Sequence, residues 1–243
     1  AANLCGDNFQ YCLKEQAAEL LRDVIYIMSR TSSDSKEERL FVKFHSDNSR
    51  NLEVFQHAFP DTPWLFVYRN PAHVIVSQFK EGKSIAKCVR GMKDPSPQVV
   101  EILRFKGLVA SPSMSREFFC AATLASYCES ALKAKERAPQ LGTFVHYPDL
   151  PLILTEEIFP NKFGLVLTDE HVERIQSIST MYSKASHGRS RPYRDDSNDK
   201  QRKVTPAIQQ AAKLFLQDSY QQLQHHGGDQ AQHHHTKLSA GDK

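Results

Sequence analysis

Apolar positions along the chain fall into two patterns. From residue 13 to 29, Ala17, Leu20, Leu21, Val24, Ile25 and Met28 recur at spacings of three and four. Glu15, Glu19, Arg22 and Asp23 favour the other side, which predicts an amphipathic helix. Two later runs are short and apolar without clean alternation: Leu40-Phe41-Val42-Lys43-Phe44-His45 and Trp64-Leu65-Phe66-Val67-Tyr68. Such runs predict strands of a parallel sheet covered on both faces. Between them, Leu52, Phe55 and Phe59 suit a helix from Asn48 to Phe59 that Pro60 ends. The expected unit is β-α-β with a right-handed crossover.

Asn70-Pro71 signals the start of another helix, with Asn as cap and Pro as first helical residue. Glycines and prolines then break the pattern from Lys80 to Ser115, apart from a short helix at Val99–Phe105. Phe118, Ala122, Leu124, Ala125, Cys128 and Leu132 mark a helix from Ser115 to Arg137. Gly142–Tyr147 reads as a third strand, with Asp149 as cap of a helix through Ile158. Thr168 caps a helix to about Tyr182, and Thr205-Pro206 opens a last helix to about Leu223. Residues 183–203 are polar and dense in charge, and the His-rich residues 224–243 predict a disordered tail.

These elements predict an α/β protein: a three-layer α/β/α domain over residues 1–223 with a mainly parallel sheet. A chain of 243 residues with 40% hydrophobic content suits one such domain. The 31 basic and 28 acidic residues are too balanced to argue for nucleic acid or a membrane surface. No run approaches the 18 apolar residues of a membrane span. Five cysteines, Cys5, Cys12, Cys88, Cys120 and Cys128, make an odd and sparse set, which suggests reduced thiols and a cytoplasmic setting. Cys120 and Cys128 on one helix stand roughly 12 Å apart, too far for a disulfide. No Cys/His group has zinc spacing.

The candidate chemistry lies at the carboxyl ends of the first two expected strands, where open α/β sheets bind ligands. Residues two apart on a strand share a face, so Lys43 and His45 can point into one cleft. Arg69 ends the second strand beside the start of a helix, a favourable place for an anion. Ser77 follows eight residues later, two turns into that helix. Each residue alone also has a structural reading: a lysine that snorkels from a strand end, or a histidine in a structural hydrogen bond. Lys83, Lys87, Arg90 and Lys93 form a basic segment, read first as a solvated face.

Val42-Lys-Phe-His45 together with Phe66-Val-Tyr-Arg-Asn-Pro-Ala-His-Val-Ile-Val-Ser77 resembles the sulfotransferases that use 3′-phosphoadenosine 5′-phosphosulfate (PAPS). The resemblance extends to about Tyr220. It implies a P-loop nucleotide-binding fold and sulfuryl transfer from PAPS to a hydroxyl or amine acceptor, with no metal. In that setting His45 is the general base, Lys43 stabilises the developing charge, and Arg69 and Ser77 hold the 3′-phosphate. Tyr147 either faces the nucleotide or is a buried structural tyrosine. His187-Gly-Arg189 falls where the family's C-terminal phosphate loop comes, with a lid or plain solvated loop as the alternative. The partners are the nucleotide and an acceptor that the sequence leaves open, as it does the oligomeric state.

The resemblance also calls for a Gly/Ser/Thr-rich phosphosulfate loop before Arg39, and no such stretch occurs there; Gly6 has neither a preceding strand nor a following Ser or Thr. The expectation is an N-terminally incomplete chain with little or no turnover. The alternatives are a non-catalytic relative that keeps nucleotide or protein binding, or another P-loop enzyme such as a kinase. A kinase would need a Walker lysine and carboxylates for Mg²⁺, and neither is evident.

Overall fold

The computed structural model describes residues 13–30, 39–79, 86–182, 191–192 and 194–238, with backbone alone for Pro151, Tyr182, Arg191 and residues 228–238. The chain is mostly helical, 67%, with a small two-stranded parallel sheet. It is α/β in that coarse sense. It divides into two compact units, residues 1–62 with 87–142 and residues 63–86 with 143–243.

The first unit is helical. Helix α1 (Lys14–Met28) packs on α2 (Leu52–Ala58), which follows a 3-10 turn at Ser46–Asn51. Ala17, Ala18 and Leu21 meet Val54 and Ala58 in a small core, with Ile25, Phe55 and Phe59 against it. This is the face that the three-and-four spacing marks. Small residues in α1 let the two helices approach closely, and Lys14 and Glu53 tie their surface at 2.5 Å. A second 3-10 turn (Lys87–Met92), α4 (Pro97–Phe105) and the long helix α5 (Arg116–Arg137) complete it. Helix α5 is buried along most of its length, from Phe119 to Ala134, because alanines and small polar residues alternate with large ones on several faces.

Two expectations are corrected in this unit. Leu40–His45 belongs to no strand. Leu40, Phe41 and Phe44 are exposed, and Phe44 leans on Phe55 with ring centroids 4.3 Å apart. The physical reason is partnership: a strand exists by its ladder, and this run has the composition of a strand without one. The reduced-thiol expectation also fails at one pair. Cys88 and Cys120 form a disulfide that joins the second 3-10 turn to α5, with Cα atoms 4.8 Å apart. Cys128 is a free thiol, and burial pushes its pKa up to about 12. Cys5 and Cys12 lie outside the described residues.

In the second unit, β1 (Trp64–Tyr68) pairs with β2 (Gly142–His146). Strand β2 is buried on both sides up to Val145, whereas Val67 of β1 is exposed. The three apolar rings at the sheet meet edge-on: Phe144 lies 6.1 Å from Trp64 and 6.2 Å from Phe66. Helix α3 (Pro71–Gln78) follows β1 directly. After β2, a 3-10 turn (Tyr147–Asp149) leads into α6 (Leu150–Ile153), which widens to a π-helix over Leu154–Lys162. The helix therefore outlasts the expected end at Ile158, carrying Pro160 inside. Asp149 occupies the cap position without a side-chain capping bond; its carboxylate stands 3.6 Å from His146 Nδ1.

Helix α7 (Asp169–Ser179) opens on Thr168, whose hydroxyl accepts from the His171 N–H at 3.3 Å. It stops three residues early, because Met181–Tyr182 (β3) turns to pair antiparallel with Arg191–Pro192 (β4). Helix α8 (Ser197–Gln201) and the long α9 (Pro206–Leu238) both pack on α3. Ile208, Ala211, Ala212, Phe215, Leu216 and Leu223 form the buried stripe of α9. Packing continues past Leu223. The His226 ring lies 6.1 Å from Phe144, and a Cβ at Gly227 would stand 3.1 Å from the Tyr68 hydroxyl and 3.3 Å from the Phe144 carbonyl. A side chain at Gly227 requires these neighbours to give by a few tenths of an ångström.

Candidate functional site

The strand-to-helix junction after β1 builds the better-formed of the two candidate regions. Tyr68 ends the strand buried, and Arg69 leaves it into the turn. Asn70 Oδ1 accepts from the His73 N–H at 3.3 Å and Pro71 opens α3, as the Asn-Pro pair predicts. Arg69 is thereby fixed at the carboxyl end of a parallel strand beside a helix N-terminus. Its side chain is only 14% exposed. The guanidinium lies over the Tyr147 ring, 5.1 Å from the centroid. Tyr147 thus supports the arginine.

Arg69 Nη2 donates to Asp196 Oδ1 at 3.0 Å and to Ser197 Oγ at 2.7 Å, with Asp195 Oδ1 at 3.6 Å. Lys200 Nζ donates to the same Asp196 oxygen at 2.7 Å. Burial pushes the Asp196 carboxyl up, but the bonds and charges of Lys200 and Arg69 outweigh it and hold it below the usual carboxylate range. Hydrogen bonds from the Ser197 hydroxyl and amide hold Asp195 low as well. His73 Nε2 meets Gln201 Oε1 at 3.0 Å and ties α8 to α3. Ser77 stands near the far end of α3, about 9 Å along the axis from Pro71. Its hydroxyl donates to the His73 carbonyl at 2.8 Å, a bond within its own helix.

Lys43 and His45 lie in the first unit, on the irregular segment before the 3-10 turn, and the strand geometry expected to align them is absent. Both are exposed. His45 nevertheless has close partners. Its Nδ1 meets Asp47 Oδ1, and its Nε2 meets Lys87 Nζ at 2.8 Å. An ammonium only donates, so Nε2 accepts from Lys87 and the ring proton sits on Nδ1, directed at Asp47. A base at Nε2 therefore exchanges Lys87 for the proton it takes. The cation beside the imidazole is Lys87, and Lys43 has no such placement.

Asp47, Asp196, Ser197 and Lys200 are the polar residues that sequence reasoning passed over, and Lys87 was read only as part of a basic segment. An acidic residue two after a histidine was a legible signal for Asp47. Asp195-Asp196 interrupts a basic stretch, which was a signal for that pair. Nothing in the spacing points to Lys87. Arg189 and Lys83 lie outside the described residues. No known protein family, curated protein or solved structure matches this chain.

Proposed function

We propose that the chain is a sulfotransferase-like protein that binds the adenosine 3′,5′-bisphosphate part of PAPS at the junction of β1 and α3. The observation that carries this reading is Arg69: a largely buried guanidinium at the end of a parallel strand, next to a capped helix start, already holding an oxyanion group. Arg-carboxylate and Arg-phosphate recognition use the same forked donors. The resemblance in the Lys43–His45 and Arg69–Ser77 motifs supplies the nucleotide and the chemistry. In this reading the small parallel sheet is part of a three-layer P-loop fold, His45 takes the acceptor proton, and Lys43 supplies positive charge at the leaving oxygen. Arg69 carries the 3′-phosphate grip, and Ser77 assists it by exchanging its own-helix bond.

A second reading is a non-catalytic relative that keeps nucleotide binding. It is favoured by the exposed, irregular setting of Lys43 and His45. Thermal unfolding with adenosine 3′,5′-bisphosphate and with adenosine 5′-monophosphate tests both. Stabilisation by the bisphosphate that the monophosphate does not reproduce at equal concentration supports a 3′-phosphate site. Equal effects, or none, refute it. Sulfation of an acceptor with PAPS as donor then separates the enzyme from the binding protein.

A further inference from the structure

Two cations of the second unit, Arg69 and Lys200, donate to the same Asp196 carboxylate oxygen, and Arg69 also donates to the Ser197 hydroxyl. Their exposures differ in an instructive way. The side chains of Arg69 and Lys200 are 14% and 13% exposed, whereas those of Asp196 and Asp195 are 40% and 67% exposed. The cations are anchored in the fold, Arg69 by its strand end and the Tyr147 ring, and the carboxylates reach them from the solvent side. Asp195 is further held by its own neighbour, accepting from the Ser197 hydroxyl at 2.6 Å and from its N–H at 3.0 Å. The arrangement is a donor set suited to a dianionic oxyanion, occupied from outside by two monoanionic side chains.

We infer that the carboxylates of Asp195 and Asp196 are an internal occupant of an oxyanion site made by Arg69 and Lys200, and that a phosphomonoester must displace Asp196 to bind there. This rests on the nucleotide reading above. It adds an autoinhibitory contact and names Lys200 as a second cation for the incoming phosphate. Displacement costs the protein the Asp196 pairs and restores the charge balance when the phosphate arrives. The measured affinity is therefore weaker than the donor set alone provides.

Calorimetric titration with adenosine 3′,5′-bisphosphate, and separately with inorganic phosphate, tests the inference. The proteins are the full chain, Asp196→Asn, Asp196→Ser as a second variant should the first fold poorly, and Asp199→Asn. Asp199 pairs with Arg202 and Arg194 rather than Arg69, so it controls for the loss of one negative charge nearby. The expected result is at least tenfold tighter bisphosphate binding for an Asp196 variant and less than threefold for Asp199→Asn. Bisphosphate binding by the full chain that an Asp196 variant fails to improve beyond the Asp199 control overturns the internal occupant and leaves the nucleotide reading standing. Tighter phosphate binding by an Asp196 variant with no bisphosphate binding upholds the occupant and overturns the nucleotide. No binding of either ligand by any of the proteins overturns the inference.

Discussion

The Arg69 region and the His45 region differ in how their polar groups are held. Arg69 sits between a strand and a capped helix, over an aromatic ring, and its partners come from a segment more than 120 residues away in sequence. His45 sits in an irregular stretch with half-exposed partners, one of them two residues away. Both regions were found by the same kind of argument, spacing along an apolar run. The difference shows what spacing can and cannot carry. It places an arginine in a well-held setting when the local chain also contains a cap and a helix start. It does not specify a catalytic pair when the strand meant to orient that pair lacks a neighbour.

The largest expected effect separates the regions through the disulfide. Lys87, the cation on His45, precedes Cys88 directly. Replacing Cys88 and Cys120 by serine removes a closure of 32 residues and is expected to cost roughly 3–4 kcal/mol of stability, read by urea unfolding. In the protein that remains folded, phosphate binding at Arg69 is expected to stay within about twofold. A coincident loss of binding would break the distinction. Asn70→Ala acts on the other region: losing the cap of α3 is expected to cost about 1 kcal/mol and to weaken bisphosphate binding, because Arg69 leaves the strand through that cap. Unchanged affinity would show that the arginine does not depend on the helix start.

Acid sharpens the comparison further. The folded pKa of Asp196 is lowered, so its contribution to stability is present above the unfolded carboxylate pKa and lost as pH falls through the folded value. Below about pH 4, the wild-type chain is expected to lose stability more steeply than Asp196→Asn, by thermal unfolding at several pH values. Parallel curves would contradict the pairing. The smallest effect is expected for Ser77→Ala. Its hydroxyl bonds its own helix, so stability is expected to change by less than about 0.5 kcal/mol and bisphosphate affinity by no more than threefold. A tenfold loss would show that the hydroxyl is a main phosphate donor rather than an assistant to Arg69.

Much of the helical framework was legible. Helices α1, α4 and α5, the strands at Trp64 and Gly142, and the caps Asn70 and Thr168 follow from periodicity and capping chemistry that act within a few residues. What was not legible depends on distant partners. Whether Leu40–His45 becomes a strand is decided by a ladder, not by its own residues. The Cys88–Cys120 bond follows from how a short turn folds onto α5, and eight-residue spacing could exclude only Cys120 with Cys128. The partners of Arg69 lay in a charged stretch that reads as solvated until Asp196 and Lys200 are seen on either side of one bond. The helix expected to end at Ile158 runs on through Pro160, which a wider π-helical turn accommodates.

The central claim is that Arg69 is the phosphate-binding group of this chain. Calorimetric titration with adenosine 3′,5′-bisphosphate, comparing the wild type with Arg69→Ala and His45→Ala, tests it most directly. The account predicts at least a tenfold loss of affinity, about 1.4 kcal/mol, for folded Arg69→Ala and less than a twofold change for His45→Ala. Equal affinity in the wild type and Arg69→Ala would contradict it.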